Sequence, residues 1–136
     1  MITPKETENL LNGFYDLPEQ LAQLHAELER LHDALQTASA SAVIDYYREE
    51  IAMKKQQLEC LQHTQHAIES ALFDLSRADR RLVELAYLGP KDPQARRDWI
   101  RRPTWYSIAR EVGLSESHAR TRAARILKSI AAAMDN

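Results

Sequence analysis

Glycine, cysteine and aromatic residues are scarce in this 136-residue chain, which contains 3 Gly, a single Cys and 7% aromatic residues. With so few glycines beside abundant Ala, Leu, Glu, Gln and Arg, the composition suits a small helical module joined to an extended helical element, not a large mixed fold. The lone Cys60 excludes an intrachain disulfide and fits a reducing compartment. Since no apolar run reaches the length of a membrane span or signal peptide, we expect a cytoplasmic protein without membrane contact.

The common signatures of enzymes are also missing. The sequence contains no glycine-rich phosphate loop, no paired zinc-type cysteines and no nucleophile elbow. His63 and His66 could share one helix face with Glu59, but a fourth metal ligand is not in view. A lone cysteine without an identifiable base is weak evidence for nucleophilic catalysis. We therefore expect a protein that is not an enzyme, with no catalytic residue, no metal and no cofactor.

The charges are divided unequally between the two halves. The net charge is −2, but residues 77–136 hold 13 Lys or Arg against 7 acidic residues, whereas residues 1–76 hold 5 against 13. The C-terminal part therefore has a net charge of about +6 and the N-terminal part about −8. This division suits a nucleic-acid surface on one half and protein contacts on the other.

Residues 104–130 (TWYSIAREVGLSESHARTRAARILKSI) follow the pattern of a helix-turn-helix. Thr104 and Ser115 are plausible N-caps of two helices, and Gly113 lies where the first helix must end and the chain must turn. In the second helix a buried stripe is predicted at intervals of three and four: Ala119, Ala123, Ile126, Leu127 and Ile130. The open face then carries Ser117, His118, Thr121, Arg125 and Lys128, with Arg120 and Arg122 towards its edges. Guanidinium groups there could bind guanine edges and phosphates, although an ordinary amphipathic hairpin with a solvated basic face is the alternative.

A further helix is predicted just upstream. Ser76 and Asp79 have the spacing of a capping box, so a helix should begin there and end at Gly89. It would bury Ala78, Leu82, Leu85 and Ala86.

The link between this helix and the helix-turn-helix is basic. Residues 91–103 (KDPQARRDWIRRP), here called the basic link, hold four arginines within seven positions around Trp99. Pro93 could open a short helix through Ile100. We expect phosphate contacts from Arg96, Arg97, Arg101 and Arg102, whereas a solvated insertion is the alternative.

The acidic half has a coiled-coil pattern. One apolar seam follows alternating steps of four and three through Leu17, Leu21, Leu24, Leu28, Leu31 and Leu35. A second seam runs through Ile44, Tyr47, Ile51, Leu58, Leu61, Ile68, Leu72 and Leu75, with polar Lys54 and Gln65 at seam positions. The apolar phase slips across residues 37–42 (TASASA), which we interpret as a turn, with a continuous helix as the alternative. An antiparallel hairpin would leave an apolar edge that invites a second copy of the chain.

Residues 75–89 (LSRADRRLVELAYLG) followed by residues 105–130 resemble region 4 of the sigma-70 family, and more closely the phage regulators of the ArpU and RinA type. The resemblance rests on the Asp-Arg-Arg after the leucine-serine opening, the Ile-Ala pair, the Gly-Leu-Ser turn and the terminal Ile-Leu-Lys-Ser-Ile. It implies promoter or operator binding, with the second helix in the major groove. Carried onto this chain, the base-reading positions are Glu116, Ser117, His118, Arg120, Thr121 and Arg125. The chain departs from the family at Arg122, where an apolar residue is usual, and in its longer link.

The sequence therefore predicts an all-α protein with two domains. Residues 1–75 would form a helical hairpin or coiled coil that joins copies of the chain, and residues 76–136 a sigma region 4-like helix-turn-helix domain. The predicted DNA contacts are Glu116, Ser117, His118, Arg120, Thr121, Arg122, Arg125, Arg96, Arg97, Arg101 and Arg102. The predicted function is a sequence-specific, double-stranded DNA-binding transcriptional regulator of phage or prophage origin. A protein that docks on RNA polymerase and a phage DNA-packaging factor are the alternatives.

Overall fold

The computed structural model describes residues 2–99 and 102–135. Within these residues the chain is all-helical and has no strand, which confirms the predicted class. The α-helices are α1 (Pro4–Asn12), α2 (Leu17–Thr37), α3 (Ser41–Phe73), α4 (Arg77–Val83), α5 (Pro93–Arg97), α6 (Trp105–Val112) and α7 (Glu116–Met134). A 3₁₀ turn spans Phe14–Asp16, and a π-helical segment, Glu84–Leu88, continues α4. No helix in the described part of the chain is long and apolar enough to cross a membrane.

The chain divides into two compact units. The core unit comprises Met1–Tyr15 and Ala67–Asn136, and the two-helix unit comprises Asp16–His66. The sequence placed the division at residues 75 and 76, whereas here the N-terminal segment and the end of α3 belong with the C-terminal helices. The physical reason is burial, because Leu11 and Ile68 are both fully buried in the hydrophobic cluster of the core unit.

Helix α1 begins with a capping box that the sequence analysis overlooked. The Thr3 hydroxyl accepts a hydrogen bond from Glu6 N (3.1 Å), and Thr3 N donates to Glu6 Oε2 (3.0 Å). Pro4 occupies the first turn, where its missing N–H costs nothing. The helix packs on α7 and on the π-helical segment, which explains the complete burial of Leu11.

Helix α4 begins as expected, because the Ser76 hydroxyl accepts a hydrogen bond from Asp79 N (3.1 Å). Its continuation is different. Gly89 N donates to Glu84 O (3.0 Å), five residues back, so the chain passes through a π-helical turn before it ends. The buried residues of this stretch are consequently two pairs five positions apart: Leu82 with Val83, and Tyr87 with Leu88. The predicted burial of Ala78 is wrong, since it is exposed, and Leu85 and Ala86 are only half-buried.

The two-helix unit consists of α2 and most of α3. Helix α2 ends at Thr37, Ala38 is extended, and α3 begins at Ser41, so residues 38–40 interrupt the helix. The seam residues are buried or half-buried, as their spacing predicted. Lys54 Nζ lies 2.9 Å from Glu27 Oε2 and joins the two helices. Their hydrogen bond and attraction lower the pKa of Glu27 and raise that of Lys54.

Candidate nucleic-acid interface

Helices α6 and α7 are joined by a tight turn whose geometry follows from three residues. The Thr104 hydroxyl accepts from Ser107 N (3.1 Å) and the Ser115 hydroxyl accepts from His118 N (3.2 Å), so both predicted N-caps are present. Between them Gly113 is left-handed (φ 76°, ψ 29°), a conformation that glycine adopts without steric cost. Leu114 N then closes the turn by donating to Ala109 O (2.9 Å).

The buried side of α7 is the one that the sequence predicted. All five expected positions are buried, namely Ala119, Ala123, Ile126, Leu127 and Ile130. They belong to one hydrophobic cluster with Ile108 and Ala109 of α6 and Leu82 of α4. Since Ala119 and Ala123 have no exposed surface, the neighbouring helices can approach α7 closely at these positions. This packing fixes which side of α7 faces outward.

Ser117, Thr121, Arg125 and Lys128 lie opposite that buried side, as the step of about 100° per residue requires. These four residues are here called the exposed face of α7, and all four are exposed. The Thr121 hydroxyl donates to Ser117 O (2.9 Å). The Arg125 side chain makes no hydrogen bond or ion pair with any residue in the described ranges. It is therefore available for a ligand.

Glu116 and Arg120 lie beside this face and interact with each other. Arg120 Nη2 lies 2.9 Å from Glu116 Oε1, and the Arg120 guanidinium lies 6.0 Å from the centre of the Trp105 ring. His118 is exposed on the other flank of the face. Arg120 can still turn outward, but it would have to exchange its carboxylate partner for a phosphate or a base edge.

Arg122 interacts with α4. Its Nε donates to Asp79 Oδ1 (2.6 Å), and the two side chains are 42% and 21% exposed. The carboxylate that the sequence assigned to a capping box is thus engaged by an arginine 43 positions away. The departure at position 122 was the available sign of such a role, because an arginine at an apolar position needs a partner. In this structure Arg122 joins α7 to α4 instead of pointing outward.

Arg96 likewise makes internal contacts. Its Nη1 donates to Leu88 O (2.8 Å) and Pro90 O (3.2 Å), and its Nη2 donates to Asn12 O (2.8 Å). Its guanidinium also lies 5.4 Å from the centre of the Tyr15 ring. Burial and the nearby Glu84 raise the pKa of Tyr15, while the Arg96 charge opposes this shift. Arg96 therefore holds the end of α1 against the end of the π-helical segment.

The remaining arginines of the basic link differ in their surroundings. Arg97 is exposed at the end of α5, a helix that Asp92 caps through Ala95 N (2.9 Å). Arg102 is exposed, and its guanidinium lies 4.9 Å from the centre of the Trp99 ring. Arg101, a predicted phosphate contact, lies outside the described residues. The short helix that was predicted to run through Ile100 already ends at Arg97. Neither Arg97 nor Arg102 forms an ion pair within the described residues, although Arg102 Nη2 can donate to the Asn12 side-chain oxygen (3.2 Å) and would exchange this contact for a phosphate.

Two exposed residues of α6, Tyr106 and Arg110, were not singled out from the sequence. Arg81 of α4 pairs with Glu111 on one side of α6, while Trp105 meets Arg120 of α7 on the other side. The helical step places Tyr106 and Arg110 away from the buried Ile108 and Ala109 of the same helix. Tyr106 is 62% exposed, which is unusual for a large aromatic side chain. An exposed Tyr followed four positions later by Arg was the pattern that could have identified them.

The described residues contain no group of three or more His, Cys, Asp or Glu side chains that could hold a metal ion. No family model, no curated protein and no solved structure matches this chain.

Proposed function

We propose that this protein is a sequence-specific regulator of transcription, of phage or prophage origin, that reads double-stranded DNA with α7. The observation that carries the proposal is the position of Arg125. It has no internal partner among the described residues and lies on the side of α7 opposite the buried stripe, next to the short polar residues Thr121 and Ser117. A helix with such a face fits the major groove of B-DNA, where a guanidinium can donate to both acceptors of a guanine.

The short side chains around Arg125 support this role. Ser117 and Thr121 project little, so they allow α7 to come close to base edges, and the Thr121 methyl group can contact a thymine methyl. The resemblance to sigma region 4 assigns the same part of α7 to base reading. In this proposal Ser117, Thr121 and Arg125 read bases, while Glu116, His118 and Arg120 adjust at the flanks.

Phosphate contacts would come from residues around α7. Arg97 and Arg102 of the basic link and Arg110 with Tyr106 of α6 are exposed and can donate to phosphate oxygens. In a helix-turn-helix the first helix crosses the sugar-phosphate backbone, which suits the position of α6. Arg96 and Arg122 are excluded from this set, because their donors already serve the fold.

The test compares three variants of the full chain on a duplex selected from a random pool and on a scrambled duplex, over a salt series. Arg125→Ala should cost about 1–3 kcal/mol on the selected duplex and less on the scrambled one. Arg97→Ala should weaken both duplexes alike and reduce the salt slope by about one unit. Arg48→Ala is the matched control, since it removes an exposed arginine from α3, far along the chain from both sites.

Two results would contradict the proposal. Equal losses on both duplexes for Arg125→Ala would make Arg125 a phosphate contact and remove the proposed base reader. Absence of binding by the unmodified chain would reject DNA recognition itself. A pull-down with RNA polymerase would then test the docking alternative.

A further inference from the structure

One side of the two-helix unit carries a groove between α2 and α3. Two adjoining cavities of about 630 and 330 Å³ form it, and both are lined by Glu27 and Lys54. The apolar groups of its lining come from both helices: Leu24, Leu31, Ala34, Met53 and Leu61. Met53 is 55% exposed. The groove is therefore open to solvent, and apolar side chains flank a central ion pair along it.

Fewer side chains of the two-helix unit are buried than the coiled-coil spacing of its sequence predicts. Of the described residues in Asp16–His66, only Leu17, Leu28 and Ile51 are buried. The other seam leucines of both helices are half-buried, although coiled-coil spacing of this kind normally places every seam side chain in a core. Two helices bury seam side chains only where they contact each other, whereas four helices enclose a core that buries the seam positions of all of them. A second pair of helices would supply the contacts that the half-buried seam residues lack.

The charges of the groove favour an identical pair. The groove contains equal numbers of positive and negative groups: Lys54 lies 2.9 Å from Glu27, and Arg30 and Glu50 line the same cavity. The other polar residues of the lining are neutral glutamines, namely Gln20, Gln23, Gln56 and Gln57. A two-fold interface requires a patch that complements itself, and a strongly acidic or basic patch would repel its copy. Here a two-fold axis close to Glu27 and Lys54 would bring each charge near its opposite on the second copy.

We propose that this groove is the surface on which two copies of the chain associate, face to face, into a four-helix bundle centred on Glu27 and Lys54. The inference stands on the geometry of the two-helix unit and does not require DNA binding. The contact between copies is the groove, and not the opposite side of the two-helix unit.

The experiment measures the mass of the full chain in solution, without DNA, by sedimentation and native mass spectrometry. The variants are Glu27→Lys, Lys54→Glu, both changes in one chain, and a mixture of the two single variants. Glu29→Lys is the matched control, because it makes the same charge change on α2 at an exposed residue that does not line the groove. Circular dichroism checks that each variant keeps its helix content.

The unmodified chain and the control should be dimers. Each single variant places four like charges at the centre, so its dimer dissociation constant should rise by at least about tenfold. The chain with both changes should recover the dimer. The mixture should give a heterodimer, because the two lysines at positions 27 and 54 of one copy then face the two glutamates at the same positions of the other.

Recovery in the mixture can only come from contacts between copies, since the ion pair within each single variant stays broken. A monomeric unmodified chain would overturn the proposal. So would single variants that dimerise as well as the control, or a mixture that remains monomeric. None of these outcomes depends on whether α7 binds DNA.

Discussion

At the scale of single residues, three consecutive side chains of α4 each hold a different helix. Asp79 accepts from Arg122 of α7, Arg81 pairs with Glu111 of α6, and Arg80 donates to carbonyls at the end of α3, including Leu72 O (3.1 Å) and Phe73 O (3.2 Å). The Asp-Arg-Arg that the sequence analysis took as part of a family resemblance thus organises the core unit.

The contact between Asp79 and Arg122 should be measurable as a coupling free energy. A double-mutant cycle of Asp79→Ala and Arg122→Ala should give about 1 kcal/mol, since a charge-assisted hydrogen bond that is partly exposed loses much of its strength to water. Urea unfolding followed by tryptophan fluorescence measures it, because both tryptophans, Trp99 and Trp105, lie in the core unit. A coupling near zero, together with a loss of sequence-specific DNA affinity in Arg122→Ala, would return Arg122 to the DNA contacts.

At the scale of elements, two glycines end helices under different constraints. Gly89 follows the π-helical segment with φ 74° and ψ −171°, and a Cβ added to it would lie 2.8 Å from the Trp99 ring. Gly113 has a positive φ as well, but a Cβ there would have no atom within 4 Å. The first glycine is therefore required by backbone conformation and by packing, the second by conformation alone.

Substitution by alanine should separate these two requirements. Gly113→Ala should lower the free energy of unfolding by about 1–2 kcal/mol, the cost of a left-handed alanine. Gly89→Ala should cost about 2–4 kcal/mol, because displacement of Trp99 adds to a comparable conformational strain. Tryptophan fluorescence during urea unfolding measures both costs, and Trp99 emission in the folded state should shift only in Gly89→Ala. Equal costs with unchanged emission would show that Trp99 does not pack against Gly89 in solution.

The elements also show what could be predicted. The caps of α6 and α7, the Gly113 turn and the buried side of α7 depend on residues within a few positions of one another, and local chemistry was sufficient for them. The π-helical turn was missed because a search at intervals of three and four cannot find pairs of buried residues that repeat after five. Arg122 binds Asp79, 43 positions away, and one of the partners of Arg96 is Asn12, 84 positions away. Composition and spacing could therefore identify these arginines as basic, but not show that they form contacts within the fold.

At the scale of the whole molecule, helix α1 completes the packing of the core unit. α1 packs on α7, Ile2 N donates to Asp135 Oδ1 (2.9 Å), and Arg96 holds Asn12 O. The sequence gives little sign of this packing, because the apolar content of α1 is only two adjacent leucines. The packing of these two leucines depends on the rest of the core and could be recognised only in the structure.

Leu11→Ala should therefore destabilise the core unit strongly. Truncation of a fully buried leucine costs about 2–5 kcal/mol, so the tryptophan-detected unfolding midpoint should fall markedly in urea. Val43→Ala is the comparison, because Val43 is 42% exposed in the two-helix unit and its loss should leave that midpoint within error. A Leu11→Ala chain as stable as the Val43→Ala chain would mean that α1 is not part of the core in solution.

The docking of α1 on α7 also orders events during synthesis. Among the described helices, α1 is synthesised first and α7 last. Leu11 therefore has no α7 side chains to pack against until the intervening chain has emerged. The two-helix unit has only local contacts to form and can fold in that interval. A nascent chain stopped before α7 should accordingly contain a folded two-helix unit and an incomplete core unit, and the proposed association between copies could begin before α7 is synthesised.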